Sequence, residues 1–391
     1  MSNRLSSIDI FRALTMFLMI FVNDLWTLRD IPGWLEHTAA DEDGMGLADV
    51  VFPVFLFIVG LSIPFAIRAR ISKGDSRSGI LLHILRRTLA LVAMGFFMVN
   101  SENFRADIPQ LARSAWDILM LVAFLLIWNN YEKEKAFAKI PVWLLQVSGI
   151  IILLILALVY KGGTPEEPEW MRPHWWGILG LIGWAYLVGS LLYLVTGNKM
   201  GLILLLWIFL HALNAQEFMP LKEAGKGFKF LVSASNYALV MSGILASTIF
   251  LRWESNPRKF LFPAILLVPA LLSVAYGFAV RPLWGISKIL ATPSWTAICA
   301  GIGFAFFAAL HVLTDGLHFT RWARILMPAG RSTLTCYLVP GLVYPFLWPL
   351  QQLLPPAFLE GWAGLIKSLL FALLIIVLTG WLEKVKIRLK I

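Results

Sequence analysis

Near the start of the chain, residues able to do proton-transfer chemistry fall close together: Asn23-Asp24, an imidazole at His37 and a carboxylate at Asp49. Asn23 and Asp24 end one apolar run and Asp49 opens the next. His37 lies in the polar connection between them, among Asp30, Glu36, Asp41, Glu42 and Asp43. All four residues therefore face one mouth of whatever the two runs build. Carboxylates beside an imidazole orient the ring and select its tautomer, which a general base requires. An Asn amide at the same mouth can donate to a developing oxyanion. Plainer readings stand beside these: a solvated loop histidine at His37, and at Asp49 a carboxylate stabilised by a helix N-terminus. A carboxylate four residues before Pro53, at the head of an apolar helix, is nevertheless costly and is usually kept for function.

A second set is basic. Arg68, Arg70, Lys73, Arg77, Arg86 and Arg87 are the densest positive cluster in the chain and flank the connection after the Asp49 run. Several guanidinium groups together suit bidentate phosphate binding, while topology-setting charge explains the same residues without a ligand. Asp9 and Arg12 lie one helical turn apart and can pair, with Arg12 also near the face where a phosphate would sit. Arg321, Arg324 and Arg331 are further cationic candidates on that face. No glycine-rich phosphate cradle is present, which argues against an ATP-driven pump.

The elements that must carry these residues are membrane helices. Of 391 residues, 59% are hydrophobic and 14% charged, far from soluble globular composition. Apolar windows long enough to cross about 30 Å of hydrocarbon recur throughout. The pattern predicts twelve spans, at 6–26, 47–67, 80–99, 112–129, 141–160, 174–195, 201–218, 233–251, 260–280, 293–314, 331–349 and 363–382. The expected fold is an all-α polytopic bundle of about twelve (10–12) transmembrane helices, forming one domain over 1–391. With both termini cytoplasmic, that side collects about twice as many Lys and Arg as the other, so His37 is expected outside and the arginine cluster inside. The net charge of +10 then reads as topology rather than nucleic-acid binding. The first run, interrupted by Asp9 and Arg12, reads as an anchor rather than a cleaved signal. Cys299 and Cys336 lie inside spans, so neither a disulfide framework nor a metal site is indicated. Most of the 17 tryptophans fit an interfacial belt, with a minority able to stack on a sugar ring.

The stretch from Arg4 to Arg70 resembles the heparan-α-glucosaminide N-acetyltransferase family of transmembrane acetyltransferases, including its bacterial members. The likeness rests on order and type. Arg4 to Thr15 opens the first helix, Val22-Asn23 closes it and His37 follows in the loop. Ala48-Asp49-Val50-Val51-Phe52-Pro53 and Phe57-Ile58-Val59-Gly60 open the second. Weaker likeness continues around Gly177 to Leu187, at Lys288 before Ser294-Trp295, at Asp315 and from Gly330 to Leu338. The resemblance implies transfer of an acetyl group from cytoplasmic acetyl-CoA to an amino sugar, a sugar hydroxyl or another glycan acceptor on the far side, in a bacterial inner membrane. His37 would be the catalytic base and Asn23 the loop asparagine, with Asp49 and Asp24 beside them. Arg68, Arg70, Arg86, Arg87, Arg12, Arg331 and Lys288 would hold the cofactor. Membrane lipid is an expected partner and a homodimer is compatible. The competing reading is a secondary transporter of a sugar-like or small polar solute, suggested by twelve spans and the intramembrane charges. Against it, the two halves show no repeat.

Overall fold

The computed structural model describes residues 5–105, 112–131, 140–164, 166–217, 233–254, 256–351 and 353–391; Arg4 lies outside them. Among these residues the chain is an all-α membrane bundle. Its long helices are α1 (Ser6–Asp24), α2 (Leu47–Ser72), α3 (Arg77–Glu102), α4 (Arg113–Trp128), α5 (Val142–Val159), α6 (Gly177–Thr196), α7 (Met200–Gln216), α8 (Ala234–Trp253), α9 (Phe262–Trp284) and α10 (Pro293–His311). A short α11 (Met327–Arg331) precedes α12 (Thr333–Gln351) and α13 (Gly361–Lys384). A two-residue-per-strand hairpin pairs β1 (Gly162–Gly163) with β2 (Pro168–Glu169).

Each predicted span is met by one long helix, and among the described residues eight segments are long and apolar enough to cross a membrane on length and composition alone. The protein is an integral, multi-pass membrane protein. Helix α2 runs past its predicted end, carrying Arg68 and Arg70 beyond the apolar stretch, and α3 begins ahead of its predicted start, at Arg77. The turn between them is made by Gly74, at φ 86°, and by Ser76, whose Oγ accepts the Gly79 N–H at the start of α3.

At the core, α2 packs on α8 with backbones touching. A Cβ on Gly60 would lie 1.9 Å from the Val240 carbonyl oxygen, and one on Gly243 would lie 1.9 Å from that of Phe57. Small residues at a crossing let helices approach this closely in lipid, where dispersion packing replaces the hydrophobic drive. Helix α1 starts against the far part of the chain, where Asp315 accepts the backbone N–H groups of Ser6 and Ser7 at 2.9 and 3.1 Å. The last residues return to the same end, with Arg388 donating to the Arg331 carbonyl and the Leu389 N–H to Thr335. Both chain ends thus share one end of the bundle, the end bearing the arginine cluster. His37 lies at the other.

Candidate active site

Asp49 is the third residue of α2 and is 1% exposed. Its position is dictated locally. Oδ2 accepts the N–H of Gly46, the residue that caps the helix, at 3.1 Å and that of Thr38 at 3.0 Å. This satisfies one orphan donor of the helix N-terminus and folds the connecting loop back over it. Gly46 is required here, because a Cβ would lie 1.9 Å from the Glu36 carbonyl oxygen. The other oxygen, Oδ1, lies 2.6 Å from Nδ1 of His37. An ionised carboxylate only accepts, so the proton of this bond sits on Nδ1 and the lone pair of the neutral ring is left on Nε2. The imidazole is 49% exposed at its side chain, so Nε2 is open to a reactant while Nδ1 is anchored on a buried group.

Pro53 has a defined part in this. Lacking an N–H, it leaves the Asp49 carbonyl without its helical donor. The indole Nε1–H of Trp295, near the start of α10, fills that role at 3.1 Å. The proline thereby creates the acceptor that ties α2 to the segment just after Lys288.

Lys288 completes the group. Its Nζ lies 3.1 Å from His37 Nδ1, 3.4 Å from Nε2 and 3.8 Å from Asp49 Oδ1. Burial holds its pKa below the usual lysine value, with the charge of Asp49 opposing that shift. The segment 285–292 that carries Lys288 is fixed from three directions. Asp43 accepts the Ile286 N–H at 2.7 Å and the Arg281 Nε–H at 2.9 Å, and the Gly44 N–H donates to the Ile286 carbonyl. Thr292 Oγ1 accepts the Ser287 N–H at 3.0 Å. Asn214, on α7, donates to the carbonyl of Ala291, which has φ 55°. The Ile286 and Arg281 bonds hold the Asp43 carboxyl below the usual carboxylate range.

The remaining expected residues fall into other groups. Asn23 is exposed at the end of α1. Asp24 is buried in a network of its own, accepting Tyr344 Oη–H at 2.7 Å and Ser368 Oγ–H at 2.6 Å, and paired with Lys367 at 3.0 Å. These contacts secure α1 to α12 and α13 rather than joining Asp24 to His37. Lys288, expected with the cofactor-binding arginines, sits instead against His37. Of those arginines, Arg68 and Arg86 are exposed, Arg70 pairs with Asp75 at 2.9 Å, and Arg87 lies over the Tyr186 ring, 4.8 Å from its centroid. Arg12 reaches Asp9 at 3.4 Å and Ser62 Oγ at 2.9 Å, and Arg331 pairs with Glu383 at 3.6 Å. From Asp49 to Arg70 along α2 is about 32 Å at 1.5 Å per residue, so the base and the cluster stand a hydrocarbon thickness apart.

Comparison with known proteins agrees with the family likeness. The family described as "Domain of unknown function (DUF5009)" matches residues 4–238. The chain belongs to the DUF5009 family. It is also 34% identical over 103 residues to heparan-alpha-glucosaminide N-acetyltransferase of Mus musculus, and 35% identical over 101 residues to that of Homo sapiens. Each match covers 25% of this chain and 14% of the relative, so the shared stretch spans about a seventh of either mammalian protein. The parts of the DUF5009 chain not read from the sequence are Gly46, Arg281, the bond Asp43 makes to Ile286 and the use made of Trp295. Only the last left a local signal, in the proline four residues after Asp49.

Proposed function

We propose that this protein is a membrane acyltransferase that moves an acetyl group from acetyl-CoA to the amine or hydroxyl of a sugar or glycan acceptor, with His37 as general base. The observation that carries the reading is the His37–Asp49 pair, with a buried carboxylate on Nδ1 and an open Nε2. Nε2 takes the proton of the acceptor nucleophile as its nitrogen or oxygen bonds to the acyl carbon. Lys288 Nζ, 3.4 Å from Nε2, is placed to balance the negative charge that develops on the acyl oxygen. On collapse the bond from the acyl carbon to sulfur breaks, and His37 returns the proton to the departing thiolate. In this reading Lys288 supplies the electrostatic role first expected of Asn23.

The arginines at the opposite end are suited to the phosphates of the donor, since Arg68 and Arg86 present exposed guanidinium groups beside Arg87. With a separation of about 32 Å along α2, the acyl group has to be delivered through the bundle interior. The mammalian relatives' name supports N-acetyl transfer to a glucosaminide, and the positive-inside balance of the loops supports donor entry from the cytoplasm, in a bacterial inner membrane.

The test uses purified full-length protein in detergent, with labelled acetyl-CoA and glucosamine. Transfer is expected, and His37→Ala should reduce it by at least about 10²-fold, the usual scale for a positioned base. Its unfolding temperature should fall only modestly, because His37 is half exposed and the one bond lost is that to Asp49, which keeps its two backbone donors and Lys288. Wild-type protein that neither binds acetyl-CoA nor transfers its label, yet moves glucosamine across vesicles, would establish the transporter reading in its place.

A further inference from the structure

Beside the His37 group, on the far side of Lys288, lies a cavity of about 510 Å³, in the size range of small-molecule sites. Lys288 and Trp295 form part of its wall, and both bond the His37–Asp49 pair, one through Nζ and the other through the Asp49 carbonyl. The cavity therefore adjoins the proposed catalytic group through these two residues. Trp175 and Trp176, from the segment before α6, supply two further indoles.

The polar wall opposite is Asn236, the third residue of α8. It is 7% exposed, and it contributes to the lining of the cavity. An amide in a cavity wall can both donate to and accept from whatever occupies the cavity. Membrane anchoring does not account for the arrangement. Trp175 is 41% exposed and fits an interfacial belt, whereas Trp295 is 2% exposed and belongs to the interior.

Resting on the acyltransferase reading above, we propose that this cavity is the acceptor subsite and that Asn236 is the residue that orients the acceptor in it. The chemistry it recognises is a hexosamine-sized ring. The apolar C–H faces of such a ring pack on indoles, and neighbouring hydroxyl and amino groups match an amide that both donates and accepts. Asn236 acts by position: it turns the ring so that the nucleophile meets His37 Nε2.

The experiment is calorimetric titration of the purified full-length protein with glucosamine, with acetyl-CoA thermal shift measured on the same samples. Asn236→Leu, close in size, should raise the Kd for glucosamine about tenfold or more, as expected for removing one well-made hydrogen-bonding group. In turnover it should raise the KM for glucosamine more than it lowers kcat. Leu181→Trp, which fills the same cavity without removing a polar group, should abolish sugar binding. Both variants should keep the wild-type response to acetyl-CoA. A wild-type Kd in the Asn236→Leu protein, with altered unfolding temperature alone, would make the residue merely structural and overturn the proposal. So would absence of glucosamine binding in wild-type protein that does respond to acetyl-CoA. Sugar binding that depends on Asn236 in protein indifferent to acetyl-CoA would instead retain the subsite and remove the acyltransferase reading.

Discussion

Asp49→Asn separates the two roles the structure gives to one carboxylate. If Asp49 only caps α2, asparagine is an equally good cap and the change should be nearly silent in both stability and rate. The geometry gives a different expectation. Oδ2 accepts two backbone N–H groups, from Thr38 and Gly46, so in the variant the amide oxygen has to remain there. The amide NH2 then faces His37 Nδ1 across the former 2.6 Å bond. A donor in that place demands a lone pair on Nδ1, which moves the ring proton to Nε2 and removes the base from the face that meets the acceptor. Inverting the tautomer of a triad histidine in this way costs up to about 10⁴ in turnover, so we expect a fall in kcat of about 10² to 10⁴ with little change in the KM for the donor. Stability should fall by about 2 kcal/mol, because a charge-assisted hydrogen bond is lost and Lys288 loses its buried counter-charge. The assay is transfer of labelled acetyl from acetyl-CoA to glucosamine by detergent-solubilised protein, with thermal unfolding on the same preparations. A variant within about threefold of wild-type turnover would show that His37 does not depend on Asp49, and the proposed base would lose its orienting partner.

Gly46→Ala should lower activity at least about tenfold and reduce stability, since its methyl meets the Glu36 carbonyl oxygen at 1.9 Å and displaces the loop that carries His37; an active, equally stable variant would refute the close approach. Gln at both Arg86 and Arg87 should raise the Kd for acetyl-CoA by tenfold or more, at about 1.5–3 kcal/mol per charge-assisted phosphate contact, and change saturated turnover far less. Unaltered donor affinity would return the cluster to topology alone. The Asp43 carboxyl is held below its ordinary value, so its contribution to joining the loops before α2 and after α9 is present above that value and lost as pH falls through the lowered one. Asp43→Asn should therefore lower the unfolding temperature at pH 7 and converge with wild type only in acid below the ordinary 3.8, and a gap that persists there would point to a cause other than ionisation.

Helices were legible in the sequence because what makes them is local. Crossing hydrocarbon requires a run of apolar residues of set length, and each predicted span was met by a helix to within a few residues. The largest boundary shift is at the end of α2, where a turn bearing Arg68 and Arg70 prolongs the helix beyond the apolar stretch until Gly74 breaks it. The short α11 and the 162–169 hairpin left no such periodic trace. The His37–Asp49 pair was half legible: both residues stood out by type, and with a separation of 12 residues their meeting depends on one loop and one cap.

What the sequence by itself determined was the membrane bundle, its charge asymmetry and the placement of a histidine and a carboxylate at one mouth. Tertiary structure alone decided which other residues join them. Lys288 is 251 positions from His37, and Trp295 is 246 from Asp49. Asp24 finds its partners 320 and 344 positions away, and so belongs to a helix-securing network instead of the site. Two asparagines illustrate the difference. Asn23, singled out by its place in the sequence, is exposed at a helix end, and Asn236, without any local signal, lines the cavity to which Lys288 also contributes. Hydrophobic length and charge act on each segment separately and can be read along the chain. Which segments become neighbours is decided by side-chain shape at helix crossings such as Gly60 against Val240, and that complementarity exists only once the bundle has packed.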